Sequence, residues 1–449
     1  MTHRNGSTDD KNLLTSWKEI AAYLGRDVRT CLRWEKNFGL PIHRLDPVSE
    51  KSRVFAYKDE LSEWLRHSRT GKPHAHGIYG QPSRRLLFAG VLFLVIGATA
   101  LLFFLFVWPG RGPKEPADFT VKGSALAILD DAGRVLWRYD TGLENLCGEE
   151  TYRSHFQFKR RDRTAQLPYL LIKDLNYDRR REVLFSLQTQ DETGEGEVLC
   201  FDRKGRVLWS FKTGREMKYG GKTYSADYRI GGLSAEDLDG DGKLEIIVIA
   251  VHRPDWPCQL AVLNSEGKMR GEFWNAGYFS DLVSADLNGD GIKEVLAGGT
   301  NNEYGLGCLA AFDAASIRGG SPQENPDFQC PELGPGSELF YVLFPRTDVD
   351  QADSYPVDAI VSVELLSNRR IQVKTNLARI YFDFDFNFDS PELIIDHGFI
   401  LAHGKALREG KVNSVLNSEY KKNLLKGIRY WDGDKWSPDP TMSRSRNQG

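Results

Sequence analysis

Cysteine is scarce in this chain, with six residues among 449. None of the six stands in the paired spacing of a zinc site, and the sequence contains no Walker loop, dinucleotide-binding fingerprint or nucleophile elbow. These absences argue against a zinc protein, a nucleotide-dependent enzyme and an α/β-hydrolase, and we expect a protein that is not an enzyme. Five cysteines follow residue 108. They can form one or two disulfides, but their spacing does not reveal the pairing.

Long apolar runs are equally scarce, and one stretch, Leu86 to Trp108, contains 23 residues without a charge. As a helix it would be ~34 Å long, which exceeds the ~30 Å hydrocarbon core of a bilayer. Arg84 and Arg85 precede it, and more Lys and Arg lie shortly before it than shortly after it. The positive-inside rule therefore predicts a single-pass protein of the inner (cytoplasmic) membrane, with the N-terminus in the cytoplasm and the C-terminal domain outside it.

Charge divides the chain at the same place. Residues 1–85 contain 16 Lys and Arg against 10 Asp and Glu, whereas the rest of the chain contains 43 against 52. A basic first part and an acidic second part indicate different partners. We expect four segments, namely a small domain at 12–67, a flexible linker at 68–85, a transmembrane helix at 86–108 and a large domain at 118–440.

Helix signals dominate the first of these segments. Ser16 and Glu19 form a capping box, in which each side chain bonds to the other residue's amide, and Gly25 is placed to end that helix. Asp27 can cap a second helix that runs to about Phe38. A hairpin from the apolar runs 42–45 and 53–57 and a third helix from residue 58 follow. The apolar residues of the second helix that we expect to face inward are Val28, Cys31, Leu32 and Phe38.

Two short helices joined by a Gly turn, the second of them basic, are typical of a DNA-binding helix-turn-helix. The segments SWKEIAAYLG, VRTCLRWEKNFGLPIHRL and RVFAYKDELSEWL together resemble the MerR/excisionase-type winged-helix domain. The resemblance implies a small winged-helix α+β fold that binds double-stranded DNA. The candidate contact residues are Arg29, Thr30, Arg33, Lys36, Arg44, Lys51 and Arg53. The alternative is a protein-interaction module with an ordinary solvated basic face.

The large domain contains a repeated hairpin. Residues 128–142 read ILDDAGRVLWRYDTG, residues 200–214 read CFDRKGRVLWSFKTG, and a weaker copy runs from Ala261 through Gly267 to Trp274. Further remnants lie at Leu309 to Asp313 and at Ile380 to Asp383. Each copy predicts a strand, a Gly turn and a second strand, and the spacing of about 50 to 75 residues indicates a large all-β domain of the β-propeller type.

A second repeat consists of acidic loops. DLDGDGKLE at 237–245 and DLNGDGIKE at 286–294 place side-chain oxygens at positions 1, 3, 5 and 9, and Ca²⁺ takes such oxygens together with the backbone carbonyl at position 7. These loops resemble the calcium loops of FG-GAP/VCBS propeller repeats. The candidate metal residues are Asp237, Asp239, Asp241, Lys243 and Glu245 in one loop, and Asp286, Asn288, Asp290, Ile292 and Glu294 in the other. Acidic turns that hold no metal are the alternative.

Two weaker copies of the acidic loop are visible. One keeps the ligand spacing at Asp174, Asn176, Asp178 and Glu182 but has Arg179 where Gly is wanted, which makes this loop a poorer candidate. The other is a degenerate copy at Asp348, Asp350 and Asp358.

These features together predict a membrane-anchored transcriptional regulator of a bacterium. A cytoplasmic DNA-binding domain would be coupled to a calcium-supported propeller that senses a ligand or protein outside the cytoplasm, with the possibility of a homodimer. Two alternatives stay open. One is an envelope adhesion or interaction protein whose inner module binds a protein; the other is an exported propeller enzyme, because the hairpins also resemble the Trp-docking repeats of quinoprotein dehydrogenases.

Overall fold

The computed structural model describes residues 12–44, 53–69, 114–156, 167–191, 196–253, 256–352, 357–375, 380–388 and 390–440. The chain divides into two compact units, Met1–Val107 and Trp108–Gly449. All six cysteines lie in the described parts, and all six are free thiols.

The described part of the first unit combines three helices with a small antiparallel sheet whose strand order is β1-β3-β2. Its elements are β1 (Leu13–Leu14), α1 (Trp17–Leu24), α2 (Val28–Phe38), β2 (His43–Arg44), β3 (Val54–Tyr57) and α3 (Lys58–Arg69). The core between them is small, and its fully buried members include Ile20, Cys31, Ala56 and Leu61. The ring of Trp34 packs against that of Trp64 at 5.6 Å between centroids.

Local signals placed these helices well. The hydroxyl of Ser16 accepts from the amide of Glu19 at 3.3 Å, and Gly25 ends α1 with a left-handed φ of 61°. Asp27 caps α2, and the helix ends at Phe38 as predicted. One half of the capping box differs, because the Glu19 carboxylate accepts from the amide of Thr15.

The inward face predicted for α2 is mostly wrong. Cys31 is buried, but Val28, Leu32 and Phe38 are 37%, 42% and 63% exposed. The residues that cover α2 come from α1 and α3, and this small core has room for little more than Cys31 and part of Trp34. Helical spacing shows which residues share a face, but not how much of that face a small domain can bury.

The second unit is a large all-β domain of successive antiparallel sheets, with propeller-like organisation. Sheet 1 contains β4 (Asp118–Lys122), β5 (Ala125–Leu129) and β6 (Val135–Asp140). Sheet 2 contains β7 (Leu170–Lys173), β8 (Glu182–Ser186), β9 (Glu197–Phe201) and β10 (Val207–Lys212). A short hairpin of β11 (Met217–Tyr219) and β12 (Lys222–Tyr224) leads to sheet 3, which contains β13 (Tyr228–Glu236), β14 (Glu245–His252), β15 (Cys258–Leu263) and β16 (Met269–Asn275).

Sheets 4 and 5 complete the series. Sheet 4 contains β17 (Gly277–Ala285), β18 (Glu294–Asn301), β19 (Leu306–Asp313) and β20 (Glu338–Phe344), and β25 (Arg429–Trp431) and β26 (Trp436–Ser437) extend its outer edge. Sheet 5 contains β21 (Ile360–Leu366), β22 (Arg370–Thr375), β23 (Ile380–Asp385) and β24 (Glu392–Ile395). The helices in the described part of this unit are α4 (Glu149–Phe156), α5 (Asp348–Ala352), α6 (His397–Arg408) and α7 (Ser418–Leu425), with a 3-10 turn at Pro326–Phe328.

The first strands of neighbouring sheets lie side by side. β7 contacts β13, β13 contacts β17, and β17 contacts β21. β14 and β18 are buried along their whole length, because other sheets pack on both of their faces. This accounts for uninterrupted apolar runs such as Ile246–Ala250, which would be unusual in a sheet with one solvated face.

The repeated hairpin forms the last two strands of sheets 1, 2 and 3, and it links one sheet to the next. The ring of Trp137, in the hairpin of sheet 1, covers Gly205 in the hairpin turn of sheet 2. Trp209 covers Gly267 of sheet 3 in the same way and donates its indole N–H to the carbonyl of Ser265 at 3.1 Å. In the third hairpin this tryptophan position is Gly271, which packs against the backbone of Ile317. The predicted remnants at 309–313 and 380–383 fall in β19 and β23, the third strands of their sheets.

No helix among the residues described above is long and apolar enough to cross a membrane. The prediction of a single-pass inner-membrane protein with an extracytoplasmic C-terminal domain is wrong by this finding. The segment 86–108, on whose length and lack of charge that prediction rested, lies outside the described residues. Of the linker predicted at 68–85, residues 68 and 69 belong to α3 and the rest also lies outside the described residues.

Candidate functional site

Three acidic loops join strand 1 to strand 2 in sheets 2, 3 and 4, and they share one conformation. In each loop the first Asp accepts backbone amides from later loop residues; Asp237 accepts from Gly240 at 2.8 Å and from Gly242 at 3.2 Å. Asp286 does the same with Gly289 and Gly291. The side chains at positions 3 and 5 each accept the amide two residues further on, as Asp241 does from Lys243 and Asp290 from Ile292, at 2.7 and 2.8 Å.

A buried glutamate closes each loop at position 9. Glu182, Glu245 and Glu294 are 7%, 2% and 3% exposed. Each accepts the backbone amide of the leucine at position 2 through one carboxylate oxygen, at distances of 3.0, 3.0 and 2.7 Å. Burial raises the pKa of Glu182 and of Glu245, since the charged form loses hydration. The loops therefore hold acidic oxygens in an environment that would favour a compensating cation.

The loop of sheet 3 brings its oxygens closest together. One carboxylate oxygen each from Asp237, Asp239 and Glu245 lie within 4.8 Å of one another. Such an all-oxygen set fits a hard cation such as Ca²⁺. The cluster already faces one cation, because Nη1 of Arg270 lies 2.7 Å from Asp239 and 2.8 Å from Glu245. Burial is the largest single influence on Asp239 and opposes its ionisation, but the hydrogen bonds from Arg270 and from the amide of Asp241, together with the charge of Arg270, lower the pKa of Asp239 overall.

The two other loops differ in how their oxygens are used. In the loop of sheet 4 the amide nitrogen of Asn288 donates to Asp290 and to Glu294 at 2.8 and 2.9 Å. In the loop of sheet 2 Tyr177 and Arg179 adopt left-handed φ values of 57° and 67°. Arg179 thus takes the conformation that Gly242 has in the loop of sheet 3, with a φ of 83°. This loop folds like the others although it lacks the glycine.

The predicted fourth copy is not a loop of this kind. Asp348 and Asp350 lie on α5, and Asp358 lies just before β21. Asp348 accepts hydrogen bonds from Ser414 and from Tyr420, which fasten α5 to the segment around α6 and α7. The acidic spacing there serves packing between helices.

The predicted DNA-contacting residues of the first unit take several different positions. Arg29, Thr30, Arg33 and Lys36 lie on α2, and the hydroxyl of Thr30 donates to Asp27 in the helix cap. Arg44 on β2 forms an ion pair with Glu35 of α2. Arg53 is exposed just before β3, and Lys51 lies outside the described residues.

A cavity of about 650 Å³ lies between sheets 2, 3 and 4. It opens at the starts of β13 and β17 and just beyond the ends of β8 and β14, which is the opposite end of these strands from the acidic loops. Arg229 and Arg253 lie in its wall, and no carboxylate stands among the described residues that line it. Its other polar lining residues include Gln188, Thr189, Gln190, Tyr278 and Ser280.

Sequence reasoning missed this cavity. Its residues come from three sheets and from positions 147 to 280, and the pattern around Arg229 is that of an ordinary strand. A local signal exists only for the acidic loops, where the ligand spacing falls within nine consecutive residues.

No family model matches the chain, and no curated protein matches it. Among solved structures, the Dos1 propeller is 10% identical, with 63% of this chain and 59% of that chain covered and a TM-score of 0.33. The exotype rhamnogalacturonan lyase YesX is 14% identical, covering 52% and 51% at a TM-score of 0.28. BBS1N in complex with ARL6DN is 9% identical, covering 64% and 70% at 0.31. The chain thus spans little more than half the length of the first two.

The predicted family assignment is wrong by these comparisons. No family model matches, and the three solved structures named above are a propeller, a rhamnogalacturonan lyase and BBS1N with ARL6DN, none of them described as a DNA-binding regulator. The DNA-binding, helix-turn-helix and membrane-regulator assignments are withdrawn with it. Helix caps and a short hairpin are local features that many small folds share. The pairing of Arg44 with Glu35 also engages a guanidinium that the resemblance had assigned to DNA.

Proposed function

We propose that residues 114–440 form a β-propeller that acts as a recognition domain, and that it binds a carboxylate-bearing ligand in the cavity between sheets 2, 3 and 4. The observation that carries this proposal is the pair of arginines, Arg229 and Arg253, in the wall of a cavity of about 650 Å³. Cavities of roughly 300–1,000 Å³ with a few placed polar groups are the usual sites of small ligands.

The chemistry of the lining favours an anion. Guanidinium groups match carboxylates in charge and geometry, and hydrogen bonds to charged groups are worth about 1.5–3 kcal/mol each. Gln190 donates one amide N–H to the carbonyl of Leu146 and keeps a second N–H for an oxygen of a sugar acid or amino acid. Gln188 and Ser280 already donate to Ile230 and Ile360, so they would contact such a ligand as acceptors. The ring of Tyr278 offers an apolar surface beside them.

Binding suits this cavity better than catalysis. The described lining residues include no carboxylate and no histidine, so general acid–base chemistry would lack its usual groups. Nε of Arg253 lies 3.8 Å from the carboxylate of Asp227, and the side chain of Asp227 is 53% exposed. We therefore propose a ligand-binding role without turnover.

Calcium is proposed as a structural ion of the same domain. The oxygens of Asp237, Asp239 and Glu245 would hold it in the loop of sheet 3, with the corresponding oxygens of the loop of sheet 4 as a second site. The ion would brace the end of the sheets opposite the cavity, and it would have to displace the Arg270 guanidinium from Asp239 and Glu245.

Calorimetric titration of the intact protein with D-glucuronate, with D-glucose as the uncharged comparison, tests the binding proposal. Glucuronate should bind and glucose should not, and Arg229→Ala or Arg253→Ala should weaken binding by about 10- to 100-fold, which is the loss of one charged hydrogen bond. Arg206→Ala is the matched control, because Arg206 is 77% exposed in the hairpin of sheet 2, at the far end from the cavity. Equal binding of both sugars, or equal effects of all three variants, would refute the proposal.

A further inference from the structure

A second cavity, of about 460 Å³, lies at the outer edge of sheets 3 and 4, beneath the long connection between β19 and β20. Its base contains Tyr219, Trp274 and Glu338, and its sides include the rings of Phe328 and Trp431. No lysine or arginine stands among the described residues that line it. This composition sets it apart from the arginine-lined cavity.

Two hydrogen-bonding groups of the base are buried without a partner. The indole N–H of Trp274 and the hydroxyl of Tyr219 make no hydrogen bond to any residue that the structure describes, although these side chains are 0% and 3% exposed. An unpaired buried polar group costs about 1–3 kcal/mol. Two such groups lining one cavity therefore point to a ligand that brings an oxygen acceptor.

The third polar group of the base is the carboxyl of Glu338, which is 2% exposed. Burial raises its pKa to about 8, so that at pH 7 it is an uncharged acid that can donate a hydrogen bond. The wall beside it is glycine, and any side chain at Gly336 would collide with this carboxyl. At pH 7 all three groups of the base are thus neutral and able to donate.

We infer that this cavity is a binding site for an uncharged ligand that presents a carbonyl or hydroxyl oxygen to Trp274, Tyr219 and Glu338, and an apolar face to Phe328 and Trp431. An N-acetylated sugar has this chemistry, since it joins an acetamide oxygen to the apolar face of a pyranose ring. An anionic ligand fits less well, because no lysine or arginine is among the described lining residues and Glu338 itself gains a negative charge as the pH rises past 8.

Saturation-transfer NMR and calorimetry of the intact protein with N-acetylglucosamine test this inference, with D-glucuronate as the charged comparison. Tyr219→Phe, which removes one hydroxyl and keeps the ring, should weaken binding about tenfold, the worth of one hydrogen bond. The parent protein should bind the sugar more weakly above pH 8, where Glu338 loses its proton and can no longer donate. Glu338→Gln keeps a neutral donor, so it should bind like the parent at pH 7 and should not weaken above pH 8.

The control is Arg229→Ala, which alters the arginine-lined cavity and should leave N-acetylglucosamine binding unchanged. The two proposals are thereby separable, since either sugar can fail to bind while the other binds. Thermal melting of each variant shows whether it is folded. Absence of binding at about 10 mM N-acetylglucosamine, or binding that Tyr219→Phe does not alter, overturns the inference.

Discussion

Arg179 adopts a backbone conformation that residues with a side chain rarely take, with a φ of 67° in the acidic loop of sheet 2. A residue with a Cβ is destabilised by roughly 1–2 kcal/mol in the left-handed region. Glycine avoids this strain, but it loses more conformational entropy on folding, which offsets part of the gain. Arg179→Gly should therefore stabilise the protein by up to about 1 kcal/mol in urea unfolding. Arg180→Gly is the control, because Arg180 lacks the positive φ. If Arg180→Gly stabilises equally, strain at Arg179 is not the reason.

Glu338 predicts a pH dependence of stability. Its pKa is about 8 in the folded protein against an ordinary value of 4.5, because burial disfavours the charged form. Between these values the unfolded chain loses a proton that the folded protein keeps, so this group makes stability fall as the pH rises, by up to about 1.4 kcal/mol per pH unit. Glu338→Gln should flatten that slope between pH 5 and 8 in denaturant unfolding. Parallel slopes for the two proteins would contradict the assignment.

At the scale of single residues, the sequence predicted those contacts that form between residues close together in the chain. Ser16 and Asp27 cap their helices through amides three residues away, and the oxygens of 237–245 gather within one short loop. Arg229, Arg253 and Glu338 could not be recognised in this way. Their environment is made by strands that are far apart in the chain.

The hairpin turns give a prediction at the scale of elements. Gly133, Gly205 and Gly267 occupy the same turn with φ values of 72°, 83° and 78°. A Cβ at Gly205 or Gly267 would strike the tryptophan of the preceding sheet, whereas a Cβ at Gly133 would meet no atom of the described residues within 4 Å. Alanine at all three positions suffers the same backbone strain. Overpacking against the tryptophan should destabilise Gly205→Ala and Gly267→Ala, but not Gly133→Ala, by about a further 1–3 kcal/mol. Thermal unfolding of the three variants measures this difference.

These three alanine variants test whether Trp137 packs on Gly205 and Trp209 on Gly267. Equal destabilisation of the three alanine variants would mean that the tryptophans do not join neighbouring sheets as the structure has them. The repeated hairpins themselves were predictable from the matching letters of 128–142 and 200–214. The contact between successive copies was not, because it depends on the angle at which one sheet follows another.

Calcium gives a prediction for the whole molecule. Ca²⁺ at a hundred times its Kd should stabilise the intact protein by about 2.7 kcal/mol per site relative to chelator, because it binds only the folded loops. Arg270→Gln should lower the melting temperature in chelator, since Glu245 is 2% exposed and would lose its cationic partner. Added Ca²⁺ should then restore the melting temperature of this variant.

Arg206→Gln serves as the control for Arg270→Gln. Arg206 forms an ion pair with Asp202, but the arginine side chain is 77% exposed, so this pair contributes little to stability. The control variant should melt like the parent protein with or without Ca²⁺. A melting temperature that is the same in Ca²⁺ and in chelator, for the parent and for Arg270→Gln, would mean that the loops are acidic turns without metal.

Whole-molecule predictions from the sequence were confirmed for the large β-rich unit and were wrong for the DNA-binding family and the membrane location. Repeats of hairpin and loop recur across residues 128–294, and several copies of one pattern are stronger evidence for a fold than any single copy. The DNA-binding assignment rested on three short helices and a hairpin, whose caps and apolar spacing many small folds share. Val28, Leu32 and Phe38 are exposed although their spacing predicted an inward face, so apolar spacing alone does not determine which side of a helix is buried.

The most direct test of the recognition proposal is a crystal structure of the protein with bound D-glucuronate. The proposal predicts the sugar in the cavity between sheets 2, 3 and 4, with its carboxylate about 2.7–3.2 Å from the guanidinium groups of Arg229 and Arg253. Glucuronate bound elsewhere, with neither arginine in contact with it, would contradict the proposal.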